Sequence, residues 1–268
     1  MDYILKTNPD GSVVTVADVQ HVLLEMLKDI DALCQKHQIP YFLNGGSALG
    51  AVRHQGFIPW DDDADIAMMR SDYLRLQSVL HELGDGYIAH CFDTYPEYNV
   101  TIPGMKIRKV GTYLKETNSL LENKCKDSDG GFVDVCIYDH VNKNPLLDLP
   151  LRLINVLLMP VIGFIETLKI NPLPLKKLYV FNAILYGKLN KNSDHIGFDL
   201  TWTYKNPFNP FIFKKSDIYP VQYVPFEDTT LPIANKPHEY LCVAIAPSYM
   251  TPPPVAKRLP KHIVDIRL

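Results

Sequence analysis

Four aspartates stand within five residues in Asp61-Asp62-Asp63-Ala64-Asp65, and the apolar run Ile66-Ala67-Met68 follows them. Side chains alternate across a strand. A strand from Asp63 onward therefore aims Asp63 and Asp65 to one side, and Asp61 joins them if the chain is extended from there. Carboxylates crowded in this way repel, and they stay ionised only with a cation between them. Hard oxygen ligands with open positions suit Mg²⁺ or Mn²⁺ shared with phosphate oxygens. A third carboxylate is expected from a later strand. Asp134 fits, because an aspartate between Val133 and Val135 needs a partner and a metal is one. The expected metal ligands are thus Asp63, Asp65 and Asp134.

Other residues in the same stretch suit phosphate. Gly45-Gly46-Ser47 turns the chain into a short helix, and free N–H groups at such an end, around Gly46 and Ser47, hold a phosphate. Arg53 lies one or two turns on and supplies a fixed positive charge, and His54 beside it is a candidate substrate contact. Lys106 and Arg108, two apart on an expected strand, share a face and are further phosphate candidates. Their plain alternative is an exposed strand face.

These side chains need a frame. Thr15 to His37 reads as a helix, with Thr15 and Asp18 as a capping box and Val19, Val22, Leu23, Met26, Leu27, Ile30 and Leu33 in one apolar stripe. Tyr41 to Asn44 fits a buried strand, Ser47 to His54 a short helix, and Gln55 to Trp60 a loop. Ser71 can cap a helix reaching about Leu83, and strands are expected at Tyr87–Phe92, Met105–Val110 and Phe132–Tyr138. Alternating short helices and strands predict an α/β or α+β fold.

An acidic run alone is usually a solvated loop, and a Gly-Gly-Ser triplet alone is usually a turn. Together, a strand, a Gly-Gly-Ser turn, a helix and Asp-x-Asp on the next strand form the layout of nucleotidyltransferase-fold sites. The segment GGSALGAVRHQGFIPWDDDADI closely resembles the LicD family of phosphocholine transferases, related to the fukutin group. Phe132-Val133-Asp134-Val135 resembles the family's later strand, with Tyr138-Asp139 like its following loop. Pro225-Phe226-Glu227 and Tyr249-Met250-Thr251-Pro252-Pro253 resemble its closing motifs, although Ile245-Ala246-Pro247-Ser248 stands where the family often has Tyr-Gly.

The resemblance implies a nucleotidyltransferase-like mixed sheet flanked by helices. It also implies transfer of phosphocholine from CDP-choline to a sugar hydroxyl of a cell-surface glycan precursor, of teichoic-acid or lipopolysaccharide type on a lipid carrier, with release of CMP. Mg²⁺ on Asp63, Asp65 and Asp134 would neutralise the diphosphate, Asp61 would complete the metal shell or act as base, and Arg53 would hold a phosphate. Choline needs aromatic faces, for which the segment Phe198–Phe226 is the expected source, with core packing as its plain alternative. Three other readings share the site: a nucleotidyltransferase that adds NMP to a small acceptor and releases pyrophosphate, a CDP-ribitol-dependent transferase, and a silent binding protein.

The chain has 268 residues with 47% hydrophobic and 21% charged. A chain of this length buries enough surface to fold without a disulfide or metal staple. The net charge of -3 argues against a protein that coats nucleic acid. Five cysteines without a C-x-x-C, and a start lacking a basic region followed by an apolar run, predict a reducing, cytoplasmic location. Three parts are expected: a catalytic core over 1–142, a helical insertion over 143–192, and an aromatic-rich part over 193–268 that completes the site.

Within the insertion, Lys143 to Lys191 carries seven basic and two acidic residues, and Leu153 to Ile165 contains no charge. That run is short for a bilayer span, and Pro160 and Gly163 interrupt it. It reads either as a buried helical hairpin or as a helix lying in an anionic membrane surface.

Overall fold

The computed structural model describes residues 3–102, 104–116, 125–126, 129–200, 208–260 and 262–267. Strands β1 (Ile4–Thr7) and β2 (Val13–Thr15) pair as a hairpin and lead into α1 (Val16–Lys36). The expected capping box is formed: the Asp18 N–H donates to the Thr15 hydroxyl, and the Asp18 carboxylate accepts from the Thr15 N–H at 2.7 Å. The apolar stripe of α1 is buried from Val19 to Leu33 except for Val22, which is half-buried.

The chain continues through β3 (Phe42–Leu43), α2 (Gly45–His54), β4 (Asp65–Met69) and α3 (Arg70–Val79), then β5 (Tyr87–Cys91), β6 (Met105–Lys109), β7 (Tyr113–Glu116) and β8 (Phe132–His140). The expected strands at β5, β6 and β8 are present. Ser71 is not a cap. β4 runs straight into α3 with Met69 at the N-cap, and a 3-10 turn over Leu80–Leu83 completes the element.

A hairpin follows of α4 (Pro145–Thr167) and α5 (Leu173–Leu189), then β9 (His195–Phe198), β10 (Phe213–Lys214), α6 (Lys215–Ile218), β11 (Gln222–Phe226), β12 (Thr229–Ile233), α7 (Pro237–Ala244) and β13 (Ile263–Arg267). The strands from β9 onward carry little alternation and escaped the sequence reading.

The main sheet is seven-stranded and mixed, flanked by helices. Its centre is β8, which pairs in parallel with β4 and antiparallel with β6 and β9. At the far end of β4 and β8, Arg70 donates to Asp139 at 2.6 Å and to Asp199 at 2.7 Å, tying three elements together. Outside this sheet, β13 pairs with β7, and this pairing brings the end of the chain back to the loop before β4.

The hairpin departs from the buried reading. Pro160 and Gly163 do not interrupt α4, which is one helix of 23 residues, long and apolar enough by length and composition to cross a membrane. Many of its apolar side chains are exposed, while Lys176, counted above among the basic residues, is buried and paired with Glu166 at 2.6 Å.

Candidate active site

The parallel register of β4 and β8 sets Asp65 directly beside Asp134, at the entry to both strands. The antiparallel register of β6 and β8 sets Lys106 beside Asp134 from the other side, and its ammonium lies 2.9 Å from the Asp134 carboxylate. The same ammonium lies 3.5 Å from the centre of the Phe132 ring. The structure therefore gives Lys106 a carboxylate partner. Arg108 shares its side of β6, as strand alternation requires, but is buried and donates to the Gly130 carbonyl at 2.7 Å. That engagement takes its guanidinium into the protein interior.

Asp61 to Ala64 form a loop, and β4 begins only at Asp65. The convergence of Asp61, Asp63 and Asp65 is therefore a property of the loop rather than of strand alternation. Asp62, in the middle of the run, is buried and serves structure: its carboxylate accepts from the N–H groups of His262 at 3.0 Å and Ile263 at 2.9 Å. This anchor carries His262 to the site. Asp61, Asp63 and His262 can each offer an atom within 4.8 Å of the others, and His262 Nε2 stands 3.3 Å from Asp63. His262 is absent from the ligands expected from sequence, which are Asp63, Asp65 and Asp134. His262 lies about 200 residues from the aspartates, and only the β13–β7 pairing reveals it.

The electrostatics match the crowding. Burial, with the charges of Asp63, Asp134 and Asp61 added, pushes Asp65 well above the usual carboxylate range. Burial also pushes Asp63 up, against the opposing pull of His262. In this cluster four carboxylates outnumber the ammonium of Lys106. The cluster's oxygen donors, with one imidazole nitrogen, fit a hard divalent cation.

Helix α2 is built to approach these carboxylates. Gly45 has φ +50°, a conformation that favours glycine, and its N–H donates to the Tyr240 hydroxyl at 2.9 Å. A Cβ on Gly46 would lie 2.8 Å from an Asp61 oxygen, so only glycine admits that contact without a shift. The Ser47 hydroxyl accepts from the Asp65 N–H at 2.9 Å, so Ser47 positions the start of β4. Behind them Asn44 accepts from the hydroxyls of Tyr240 at 2.7 Å and Tyr138 at 3.2 Å.

Arg53 donates to the Tyr249 carbonyl at 2.8 Å and to His54 at 2.9 Å, and it lies in the field of both Asp61 and Arg258. Burial and Arg53 hold His54 below the usual histidine range, hence neutral at pH 7. The closing segments support this corner. Glu227 accepts from the Phe57 N–H at 2.9 Å, and Tyr249 supplies the carbonyl for Arg53.

The expected aromatic cage is not found among the described residues. Phe213 and Phe226 are buried in the core, Phe198 and Phe211 pack against it, and Tyr223 donates to Asp31. Trp202 and Tyr204 lie outside the described residues. Trp60 directly precedes Asp61 in the chain, and the Arg258 guanidinium lies 5.3 Å from its ring centre.

A family model described as "LicD/FKTN/FKRP, nucleotidyltransferase domain" matches residues 38–118, which includes α2, the acidic loop and β4. A lipopolysaccharide cholinephosphotransferase LicD of Haemophilus influenzae is 28% identical over 94% of this chain and 97% of its own length. Residues 38–118 thus carry a LicD-type nucleotidyltransferase domain. Shorter matches reach an uncharacterized protein of Rickettsia prowazekii, 48% identical over 22% of this chain and 22% of that one, and another of Rickettsia typhi, 47% identical over 22% and 19%. The chain is an enzyme of the transferase class.

Proposed function

We propose that this enzyme transfers phosphocholine from CDP-choline to a sugar hydroxyl of a lipid-linked cell-surface glycan precursor and releases CMP. The observation that carries the reading is the cluster of Asp61, Asp63, Asp65 and Asp134 beside the N-terminus of α2. Full-length similarity to a protein named as a lipopolysaccharide cholinephosphotransferase supports the substrate class.

Asp63, Asp65 and Asp134 hold Mg²⁺ (or Mn²⁺) in this reading, with His262 as a further ligand to the Asp61–Asp63 side. The ion supplies charge neutralisation to the diphosphate. The acceptor oxygen bonds to the choline-bearing phosphorus, the bond from that phosphorus to the bridging oxygen breaks, and CMP leaves with the electron pair. Asp61, beside Gly46 at the N-terminus of α2, takes the hydroxyl proton in this reading. Arg53 faces the departing nucleotide phosphate. Lys106 keeps Asp134 oriented through its ion pair. Trp60 presents a face that already accepts a guanidinium, a property that suits a quaternary ammonium.

The test is incubation with Mg²⁺ and CDP-choline, CDP-ribitol or CTP separately, while CMP and pyrophosphate are measured. CMP from CDP-choline that depends on a glycan acceptor is expected. Pyrophosphate from CTP would favour nucleotidyl transfer, and CMP from CDP-ribitol alone would favour polyol-phosphate transfer.

A further inference from the structure

The hairpin of α4 and α5 has its polarity reversed for a helix pair in water. Leu147, Pro150, Ile154, Leu157, Val161, Phe164 and Leu168 recur at alternating steps of three and four along α4 and its C-cap, so they form one stripe. All seven are exposed, with Leu157 at 69% and Phe164 at 66%. On α5, Leu178 and Phe181 are exposed as well.

The inner side sets buried polar residues among apolar ones such as Ile162, Tyr179 and Ala183. Asp148, Arg152 and Asn155 of α4 are buried, as are Lys176, Asn182 and Asn190 at α5. Their hydrogen bonds stay within the protein. Asn182 donates to Asn155 at 3.0 Å, Asn155 to the Tyr179 and Leu200 carbonyls, Asn190 to Asp148 at 3.1 Å, and Lys176 to the Tyr98 carbonyl at 3.0 Å. Apolar outside and hydrogen-bonded polar inside is the arrangement that hydrocarbon surroundings select. An exposed apolar patch of this extent marks an interaction surface.

Charge narrows the partner. The two acidic residues of the hairpin, Asp148 and Glu166, are turned inward and paired. Lys143, Lys169, Lys177, Lys188 and Lys191 are all exposed. The charge that the hairpin shows to its surroundings is therefore entirely positive. An apolar stripe attended by lysines complements the headgroups and acyl boundary of an anionic bilayer.

We propose that the outer face of the α4–α5 hairpin docks in the surface of an anionic lipid bilayer. Helix α4 lies in the plane of the membrane: its inner side is committed to α5 and to the segment around Tyr98 and Val100, so it has no free circumference for a span. The proposal is independent of the phosphocholine reading, because binding needs neither donor nor acceptor.

The test is flotation of the full chain with vesicles of phosphatidylcholine alone and of phosphatidylcholine with phosphatidylglycerol, at low and high salt. The wild type is expected to float with the anionic vesicles and to be released by salt in part, since only the lysine contribution is screened. The double variant Leu157→Asp/Phe164→Asp is expected to lose at least about tenfold in partitioning, with an unchanged circular dichroism spectrum. Lys169→Glu/Lys177→Glu is expected to remove the preference for anionic lipid. Should the aspartate variant misfold, Phe164→Trp gives the second readout: quenching by brominated lipid, beyond that of the unsubstituted protein, is expected. Equal flotation of wild type and the folded aspartate variant, or no added quenching at position 164, overturns the proposal. A wild-type dimer in solution that the aspartate variant makes monomeric, without vesicle binding, assigns the stripe to a second copy and overturns it too.

Discussion

Asp65→Asn tests the electrostatics of the site separately from its chemistry. Asp65 faces the carboxylates of Asp63, Asp134 and Asp61 and one ammonium, that of Lys106. Two unit charges about 5 Å apart repel by about 3 kcal/mol at an effective dielectric near 20, so the uncompensated repulsion exceeds several kcal/mol. Protonation limits the penalty. Protonating a carboxylate of ordinary affinity costs about 4 kcal/mol at pH 7 and about 1.5 kcal/mol at pH 5.

The sign follows from linkage. Folded Asp65 holds its proton more tightly than unfolded Asp65, so metal-free stability falls as pH rises from the unfolded value toward the raised folded one. Asparagine keeps the shape and removes the charge. In EDTA at pH 7 the variant is expected to gain about 1–4 kcal/mol, a rise in Tm of roughly 3–10 °C, and the gain is expected to shrink at pH 5. Thermal melts at the two pH values measure this. Mg²⁺ is expected to raise the wild-type Tm by mass action and the variant's far less. A loss of stability at pH 7, or a gain that does not change with pH, would refute the reasoning.

Three further outcomes are expected. Gly46→Ala places a Cβ 2.8 Å from an Asp61 oxygen, so CMP release is expected to fall by about tenfold or more while the melting curve stays within about 1 kcal/mol of wild type. His262→Gln removes an imidazole ligand atom, and calorimetric titration with Mn²⁺ is expected to show affinity lowered by about tenfold, with Asp62 still anchoring the backbone. Lys176→Ala removes a buried ammonium from Glu166 and from the Tyr98 carbonyl and is expected to cost about 3–5 kcal/mol in urea unfolding, whereas Lys177→Ala, one residue on and exposed, is expected to cost under about 0.5 kcal/mol.

Much of the site could be read from the sequence because its chemistry is written locally. Asp61, Asp63 and Asp65 are neighbours in the chain, and Asp134 was legible as a carboxylate set among β-branched residues. The capping box of α1 and the strands β5, β6 and β8 carry their own periodic signals. What the sequence does not show depends on distant pairing. The Ser47 hydroxyl holds the Asp65 backbone and Lys106 pairs with Asp134, partners that only the folded chain puts within reach. His262 came to the site only through Asp62, an aspartate that local reasoning had no cause to separate from its neighbours. The aromatics after Phe198 looked like a ligand cage. Burial against Tyr138 and Tyr240, which composition does not encode, makes Phe213 a core residue.

The most direct test follows the choline itself. Wild-type enzyme, Asp63→Asn and Asp65→Asn are each given CDP-choline labelled in the choline methyl groups, a lipid-linked glycan acceptor and Mg²⁺, and label in the glycan is counted against CMP. The account predicts that wild type incorporates one labelled choline per CMP and that the two folded variants incorporate at least about a thousandfold less. Labelled glycan formed by either variant at a rate within tenfold of wild type would contradict it.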